Sequence, residues 1–485
     1  MGTGTPRAAT DGTIPAALAS TCADLATATD RDAIGGRQPR FVAAPGSTEE
    51  AAALLRAAAD LGLTVVPRGS GTHLDWGAPP TSCDLIVDTR RLNRIIEHAA
   101  GDLVVSVQAG VSLAELAKVL AKAGQRLALD PPTHGTANSS GTIGGLIATG
   151  AAGPLRYRYG RPRDLLIGIT VVRADGAVAR SGGKVVKNVA GYDLGKLFAG
   201  SYGTLGLITE ATLRLHPKPE TSTWITLESP DAQTATAVVR AMANSPLDPA
   251  AIELDWPSAA DSISISVLLE GDSASVEGRA ERMLSLLGSR GTVGLPSDHT
   301  KRSDGSSAPP PLAADEPDEM APDPVGDTAI ADVEPAVDAF RVRRVPVADR
   351  ERPSGASTQI RIAFWAGQLE TVLRIVRESG AKVGVDPAIS GSAGAGVLEL
   401  DVAGAALPGA VVAFVELVRA GLGELSVVGG VVPSVASAVV LGAPPEVREA
   451  VDVWGPVASL ELMRAVKDRF DPEHRMAPGR FAGGI

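Results

Sequence analysis

Two arrangements of small and charged residues in this chain suit the holding of a flat, phosphorylated ligand. The first is Arg68-Gly69-Ser70-Gly71-Thr72, which follows a strand-forming run at 64–67 ending on Pro67. Consecutive backbone N–H groups in such a turn form a concavity that binds pyrophosphate without a metal. An ordinary glycine-rich turn would read the same over these five residues. The second is Thr142-Ile143-Gly144-Gly145-Leu146-Ile147-Ala148-Thr149-Gly150, with Gly153 just beyond it. Paired glycines are costly in a plain strand or helix, and the interleaved Ile143, Leu146 and Ile147 argue against a loose loop. Backbone here is expected to lie against a ligand, where a Cβ would block the approach. The spacing departs from G-x-G-x-x-G, so a dinucleotide-binding turn of that kind is not implied. A third segment, Gly203-Thr204-Leu205-Gly206-Leu207-Ile208-Thr209, offers further amides and carbonyls.

Side chains able to do chemistry are fewer. Arg156, Arg158, Arg161 and Arg163 cluster with Tyr157 and Tyr159. Guanidinium groups clasp carboxylates through paired hydrogen bonds, which makes Arg156 and Arg163 candidates for holding an acidic substrate. The alternative is that one arginine pairs with Asp164, one faces pyrophosphate and two are solvated. His134 sits inside the glycine-rich core and is a candidate base, or else a loop histidine with a structural partner. None of the six histidines has a mate at metal-ligand spacing, so no metal site is expected. The two cysteines, Cys22 and Cys83, cannot hold an iron–sulfur cluster by themselves and fit a reducing, cytoplasmic setting.

Taken together these segments resemble the vanillyl-alcohol-oxidase / p-cresol-methylhydroxylase (PCMH) family of FAD-linked oxidases, and within it the FAD-binding subunits of glycolate oxidases. Pro131-Pro132-Thr133, the 142–153 stretch, Lys187-Asn188-x-x-Gly191-Tyr192-Asp193-Leu194 and the 203–209 stretch carry the resemblance. It implies FAD as cofactor, contacted by Pro67, Arg68, Gly69, Ser70, Gly71, Thr72, Pro132, Thr142, Ile143, Gly144, Gly145, Ala148 and Thr149. The same contact set continues through Gly153, Asn188, Tyr192, Asp193, Gly203, Thr204, Gly206, Leu207 and Ile208. Thr72 stands where covalently flavinylated relatives carry a histidine, and His73 comes one residue late, so noncovalent FAD is implied. Tyr202 replaces an acidic residue of the catalytic relatives, and Ala477-Pro478-Gly479 stands in place of Asn-Pro-Gly. The stretch from Gly384 lacks the His-x-Gly-x-Gly-Asn metal motif that relatives carry in the cap. These departures imply an accessory role in a complex that oxidises a small 2-hydroxy acid. Its partners would be a second FAD-containing catalytic subunit and an iron–sulfur subunit that takes the electrons. The other two readings are an independent FAD-dependent 2-hydroxy acid dehydrogenase and a scaffold subunit that has lost FAD.

The elements that must position these residues follow from periodicity and length. A chain of 485 residues exceeds one hydrophobic core. The expected class is α+β, and the resemblance implies a PCMH-type FAD-binding domain of two subdomains over residues 35–219. A flexible N-terminal arm is expected at 1–34, and a segment returning to the flavin at 456–485. The resemblance further implies a ferredoxin-like cap, whose halves are read at 220–297 and 341–455. Strands are expected at 40–44, 64–67, 85–87, 103–107, 165–173, 177–180 and 206–215, with helices begun by Ser47 and Ser112. In the cap, strands are expected at 224–227, 252–255, 263–269, 359–364, 397–402 and 425–428. Between the halves, residues 298–340 read as an acidic, proline-rich linker or insertion. Residues 303–338 hold ten Asp or Glu and no Lys or Arg, so of the formal charge of −11 only about −1 belongs to the rest. Such a balance argues against nucleic acid or an anionic membrane as partner. The apolar runs at 402–415 and 427–441 are broken by Pro408 and Pro433 and are too short to span a bilayer. Membrane association, if any, is expected to come through partners. No signal peptide is read in the first 34 residues.

Overall fold

The structure, a computed structural model, describes residues 13–132, 141–183, 193–287, 342–343, 357–425 and 436–485. His134, Asn188, Tyr192 and the acidic segment at 298–340 lie outside these residues.

The chain opens with a small βαβ unit. Phe41–Ala43 and Val65–Arg68 both run parallel to the central strand Leu85–Asp88. The helix Thr48–Asp60 crosses between the outer two, burying Leu54, Leu55 and Ala58. Ser47 caps it, its Oγ accepting from the Glu50 amide at 3.1 Å. Glu50 does not complete the reciprocal box; its carboxylate accepts from the Gly46 and Ala23 amides instead. The expectation of a flexible arm before residue 35 fails from Thr13 onward. Thr13–Ala19 is a helix, and Leu25–Thr27 adds to the sheet as an antiparallel edge. The reason is burial: Ile14, Leu18 and Cys22 pack into the same core as Leu54 and Leu55.

A five-stranded antiparallel sheet follows, in the order Ile95–Ala99, Val104–Gln108, Leu207–Arg214, Leu166–Val172, Val178–Gly182. The edge strand Ile95–Ala99 was not anticipated, because Glu97 and His98 interrupt its apolar pattern. Thr142–Gly150 also differs from expectation. Its paired glycines sit in a helix, Ile143–Thr149, capped by Thr142 and ended by Gly150 at φ 65°. Packing overrides propensity here: a Cβ on Gly144 would lie 2.8 Å from the Ala109 Cβ, and Ile143 and Ile147 join Ala109 in the same core.

The cap is a single eight-stranded antiparallel sheet. Its order is Val342–Arg343, Thr221–Ser229, Ile263–Gly271, Ala251–Trp256, Ala388–Gly391, Val397–Val402, Thr358–Ala363, Ser437–Gly442. Strands Ala388–Gly391 and Ser437–Gly442 escaped the sequence reading; the first is only four residues long. The strand expected at 425–428 does not begin at Leu425, which ends the helix Pro408–Leu425; residues 426–428 lie outside the described set. That helix keeps Val411, Phe414, Val415, Val418 and Leu422 on one stripe, and this apolar stripe is what carries it on to Leu425. With Ala232–Ala243, Ser273–Leu286 and Leu369–Val383 it takes part in the core formed with one face of the sheet. Ile360, Ile362, Leu398 and Leu400 point into that core. The alternating positions, Arg361 and Glu399 among them, therefore fall on the other face.

The last helix, Leu460–Phe470, leads the tail back to the first unit. Met476 bridges to Val65 in parallel, and Ala477 N donates to Val65 O at 2.7 Å. Among the described residues, no helix is long and apolar enough to cross a membrane.

Candidate functional site

A cleft with about 730 Å³ of empty space opens where the two small sheets and the C-terminal tail meet. One wall is the loop from Pro67 to Leu74, and another is the helix face of Thr142, Gly144, Gly145, Ala148 and Thr149. Tyr202, Gly203, Gly206, Leu207 and Ile208 form the third, with Thr89 and Arg480 completing the lining.

The two glycine-rich walls offer different chemistry. In the loop, the amides of Gly69, Ser70, Gly71 and Thr72 have no hydrogen-bond partner among the described residues. Successive free N–H groups facing a cleft are an anion-binding nest. The helix has no such donors left. Ile143 N donates to Val111 O, Gly144 N to Ala109 O, and Gly145 N to Thr142 Oγ1. What the helix supplies is a flat surface. Beyond its own helix turn, a Cβ on Gly145 would meet only Thr142 Oγ1, at 3.3 Å, among the described residues, and Gly145 lines the cleft. The two walls are locked together at Gly69, where a Cβ would fall 2.2 Å from Thr142 Oγ1.

Arg68 lines the cleft, but its guanidinium is braced by Asp32 at 2.7 Å and Asp88 at 3.1 Å. The Arg68 hydrogen bond, with the Thr29 amide, holds the Asp32 carboxyl down at about 2. Arg68 therefore stiffens the loop rather than serving as a free anion ligand. His73 turns its Nδ1 to within 3.0 Å of Thr72 Oγ1 and packs edge-on against Trp76 at 4.2 Å.

The tail contributes the remaining cation. Arg480 is 3% exposed, and its Nη2 donates to Leu74 O at 3.0 Å and Trp76 O at 2.9 Å. Its buried Nη1 has no partner among the described residues. Burial lowers the Arg480 pKa to about 10, short of neutralising it at ordinary pH. Such a donor suits an acceptor atom in the cleft. Beside it, Tyr202 adopts φ 55°, a conformation that costs a non-glycine residue on the order of 1–3 kcal/mol. Its amide donates to Ala148 O at 2.8 Å, and its ring packs on Trp454 and Phe481.

Of the residues singled out in the sequence, Pro132, Ile143, Gly153, Asp193 and Thr204 do not line the cleft. Ile143 is core, and Thr204 is buried with its hydroxyl on Ser201 O. Gly153 is required by Asp130, whose carbonyl oxygen would sit 1.9 Å from a Cβ there. Asp193 pairs with Lys196 at 3.1 Å. Arg158 pairs with Asp248 at 2.7 Å, Arg163 is exposed, and Arg156 sits half-buried beneath the cap. His73, Leu74, Thr89, Tyr202 and Arg480 are cleft residues that sequence reasoning did not assign as contacts. Arg480 follows a recognised motif, but only the return of the tail places it here.

The comparisons give this geometry a class. Residues 39–182 match the FAD binding domain family, so this chain carries an FAD binding domain. Its fold is that of p-cresol methylhydroxylase, with a TM-score of 0.67 at 14% identity over 98% of both chains. The 4-ethylphenol oxidase from Gulosibacter chungangensis gives 0.65 at 13% identity over the same shares. At these identities the likeness concerns the fold.

Sequence similarity is more particular. Glycolate oxidase subunit GlcD of Bacillus subtilis (strain 168) is 37% identical over 221 residues, 45% of this chain and 46% of that protein. Glycolate oxidase subunit GlcE of Escherichia coli (strain K12) is 38% identical over 158 residues, 33% of this chain and 44% of that one. D-lactate dehydrogenase of Archaeoglobus fulgidus is 37% identical over 212 residues, 44% of this chain and 46% of that protein. The chain thus spans less than half the length of the curated relatives it matches.

The cleft fits the cofactor of this family. The loop amides without partners among the described residues suit a pyrophosphate, the bare face of Gly145 suits a planar ring, and the Arg480 guanidinium adds positive charge to the lining.

Proposed function

We propose that this chain is the FAD-binding subunit of a glycolate-oxidase-like complex that oxidises a 2-hydroxy acid and passes electrons to partner subunits. The observation that carries this reading is the cleft itself. It joins four unpartnered amides, a glycine-surfaced wall and a buried arginine in a chain akin to glycolate oxidase subunits.

When bound, FAD supplies the hydride-accepting chemistry. The amides of residues 69–72 would hold its phosphates, and Gly145 would let its rings approach the backbone. Gly203, Gly206, Leu207 and Ile208 would line the opposite wall, with Arg480 at its edge. Thr72 offers no imidazole for attachment, so FAD is held noncovalently. Partners of the expected kinds, a catalytic FAD subunit and an iron–sulfur subunit, would complete the electron path that two buried cysteines do not provide.

The test is anaerobic mixing of the purified, FAD-loaded chain with glycolate and with D-lactate. FAD should be fully released by acid, and its reduction should be slow alone and fast once partner subunits are added. Rapid, complete reduction in the lone chain would make it an independent dehydrogenase, the reading that the arginines beneath the cap favour. A chain that takes up no FAD on reconstitution would instead be a scaffold.

A further inference from the structure

We propose that Arg126, Tyr159 and Glu270 are positioning residues that lock the cap to the FAD domain, and that this lock governs how firmly the cleft holds FAD. The inference rests on the reading of the cleft as the FAD site and adds residues that do not line it.

The three side chains close a triangle across the border between the domains. Arg126 lies on the short strand Gln125–Arg126 of the FAD domain, Tyr159 ends the helix Arg156–Tyr159, and Glu270 lies on the cap strand Ile263–Gly271. Arg126 grips the carboxylate with both terminal nitrogens: Nη1 donates to Oε1 at 2.8 Å and Nη2 to Oε2 at 2.5 Å. Nη2 also donates to the Tyr159 hydroxyl at 3.0 Å, and that hydroxyl donates to Glu270 Oε2 at 2.9 Å. Glu270 is buried, and paired hydrogen bonds from one guanidinium fix direction as well as distance. The nearby Arg158, 5.7 Å from the Tyr159 ring centre, is engaged by Asp248 at 2.7 Å.

The triangle sits where the chain crosses into the cap. Gln125–Arg126 pairs with His216–Pro217, the last strand before the crossing, and Lys218 N donates to Gly124 O at 2.8 Å. The cap sheet takes up the chain at Thr221, and Ser222 stands opposite Glu270 in it. Arg126 thus holds the crossing on both sides, by its backbone before it and by its side chain after it. Pro217 and Pro219 fix φ at two of the few positions between, so the joint has little freedom while the triangle is intact.

Two chain segments carry the lock toward the cleft. From Arg126 the chain runs on to Leu127 and Leu129, which pack in a core with Leu146 and Tyr202. Tyr202 lines the cleft, and Leu146 belongs to the helix Ile143–Thr149 that forms one wall. One residue further, the Asp130 carboxyl accepts from Leu155 N at 3.1 Å. Leu155 begins the turn of helix that ends in Tyr159. The triangle therefore spaces these two segments at one end, and the Asp130 contact spaces them at the other. Breaking the triangle loosens the support of the wall without altering any residue that lines the cleft.

The experiment compares the FAD-loaded chain with Glu270→Gln, with Tyr159→Phe and with the charge swap Arg126→Glu/Glu270→Arg. FAD release on dilution is followed by the change in flavin fluorescence, and hydrogen exchange reports the amides at 124–126 and 216–222. Glu270→Gln should speed release about tenfold or more, since it leaves the Arg126 guanidinium without its carboxylate. Tyr159→Phe, which keeps the ring, should speed it about threefold. In both, exchange should quicken around the crossing and stay unchanged in the strand Leu85–Asp88. The charge swap should bring release back toward the parent rate, which lost packing alone would not allow. If Glu270→Gln does not fold, Tyr159→Phe decides.

A lowered thermal midpoint with unchanged FAD release would mark the triangle as merely structural and overturn the inference, while the proposed function would stand. A charge swap that released FAD as fast as Glu270→Gln would overturn it as well. A parent chain that took up no FAD would overturn the proposed function and the control of FAD release together, and exchange at the crossing would still test the lock.

Discussion

Two charged groups of the FAD domain differ in how far their hydrogen bonds are met within the chain. Lys467 is fully buried, and all three of its donors are used: Thr204 O at 2.7 Å, Asp471 Oδ2 at 2.8 Å and Met476 O at 2.9 Å. Asp471 accepts in turn from the Arg475 amide at 3.1 Å and the Met476 amide at 2.7 Å. Nothing is left over for a ligand. Arg156 and Arg161, by contrast, share one backbone acceptor between two guanidiniums. The closed group ties the tail to the loop that carries Gly203 and Thr204.

The comparison is broken most directly at its closed end. Lys467→Met should cost about 3–5 kcal/mol of stability, because it strands a buried Asp471 carboxylate. Denaturant unfolding checks this. A loss below about 1 kcal/mol would mean that the pair is not the anchor of the tail.

A second contrast sets one glycine against another. Gly153→Ala should destabilise the chain by roughly 1–3 kcal/mol, since its Cβ would strike the Asp130 carbonyl oxygen. Gly145→Val should leave the thermal midpoint of the FAD-free chain nearly unchanged and abolish FAD retention, because its side chain would enter the cleft. Retention of FAD by that variant would place the cofactor elsewhere.

A further effect concerns pH. Burial raises the Asp130 carboxyl from 3.8 to about 7, against the Leu155 amide and the Arg156 charge, which favour ionisation. Unfolded, this group ionises near pH 4; folded, it keeps its proton to near 7. Its contribution therefore falls as pH climbs through that window and stays level above it. Asp130→Asn, which keeps an acceptor for the Leu155 amide, should gain thermal midpoint over the parent between pH 4 and pH 7. A difference independent of pH would show that the carboxyl titrates normally.

Much of the cleft was legible beforehand because its walls are contiguous in the chain. Residues 67–72, 142–149 and 203–208 announce themselves by glycine content, and most of them line one cavity. The exceptions are instructive. Ile143, Gly153 and Thr204 belong to the same motifs but face inward, since a motif records which backbone is near the ligand and not where each side chain points. The glycine pair at 144–145 was expected to avoid a helix, yet it lies in one, with Gly144 packed closely on Ala109. The first 34 residues look featureless, yet Ile14 and Leu18 find a core that a reading of the local sequence does not reveal.

The amino-acid sequence by itself determined the local matters: the nest-forming loop, the glycine face, the capped helices and the acidic composition of 303–338. These depend on backbone preferences and side-chain chemistry within a few residues. Only the tertiary structure decided which charges are satisfied. Arg68 meets Asp32 from 36 residues upstream, Lys467 meets Thr204 from 263 residues away, and Arg480 enters the cleft from the far end of the chain. Arg361 is brought toward Arg156 by a strand of another sheet. A buried cation acts as brace or as binding site according to the acceptors around it, and those acceptors are assembled by long-range packing.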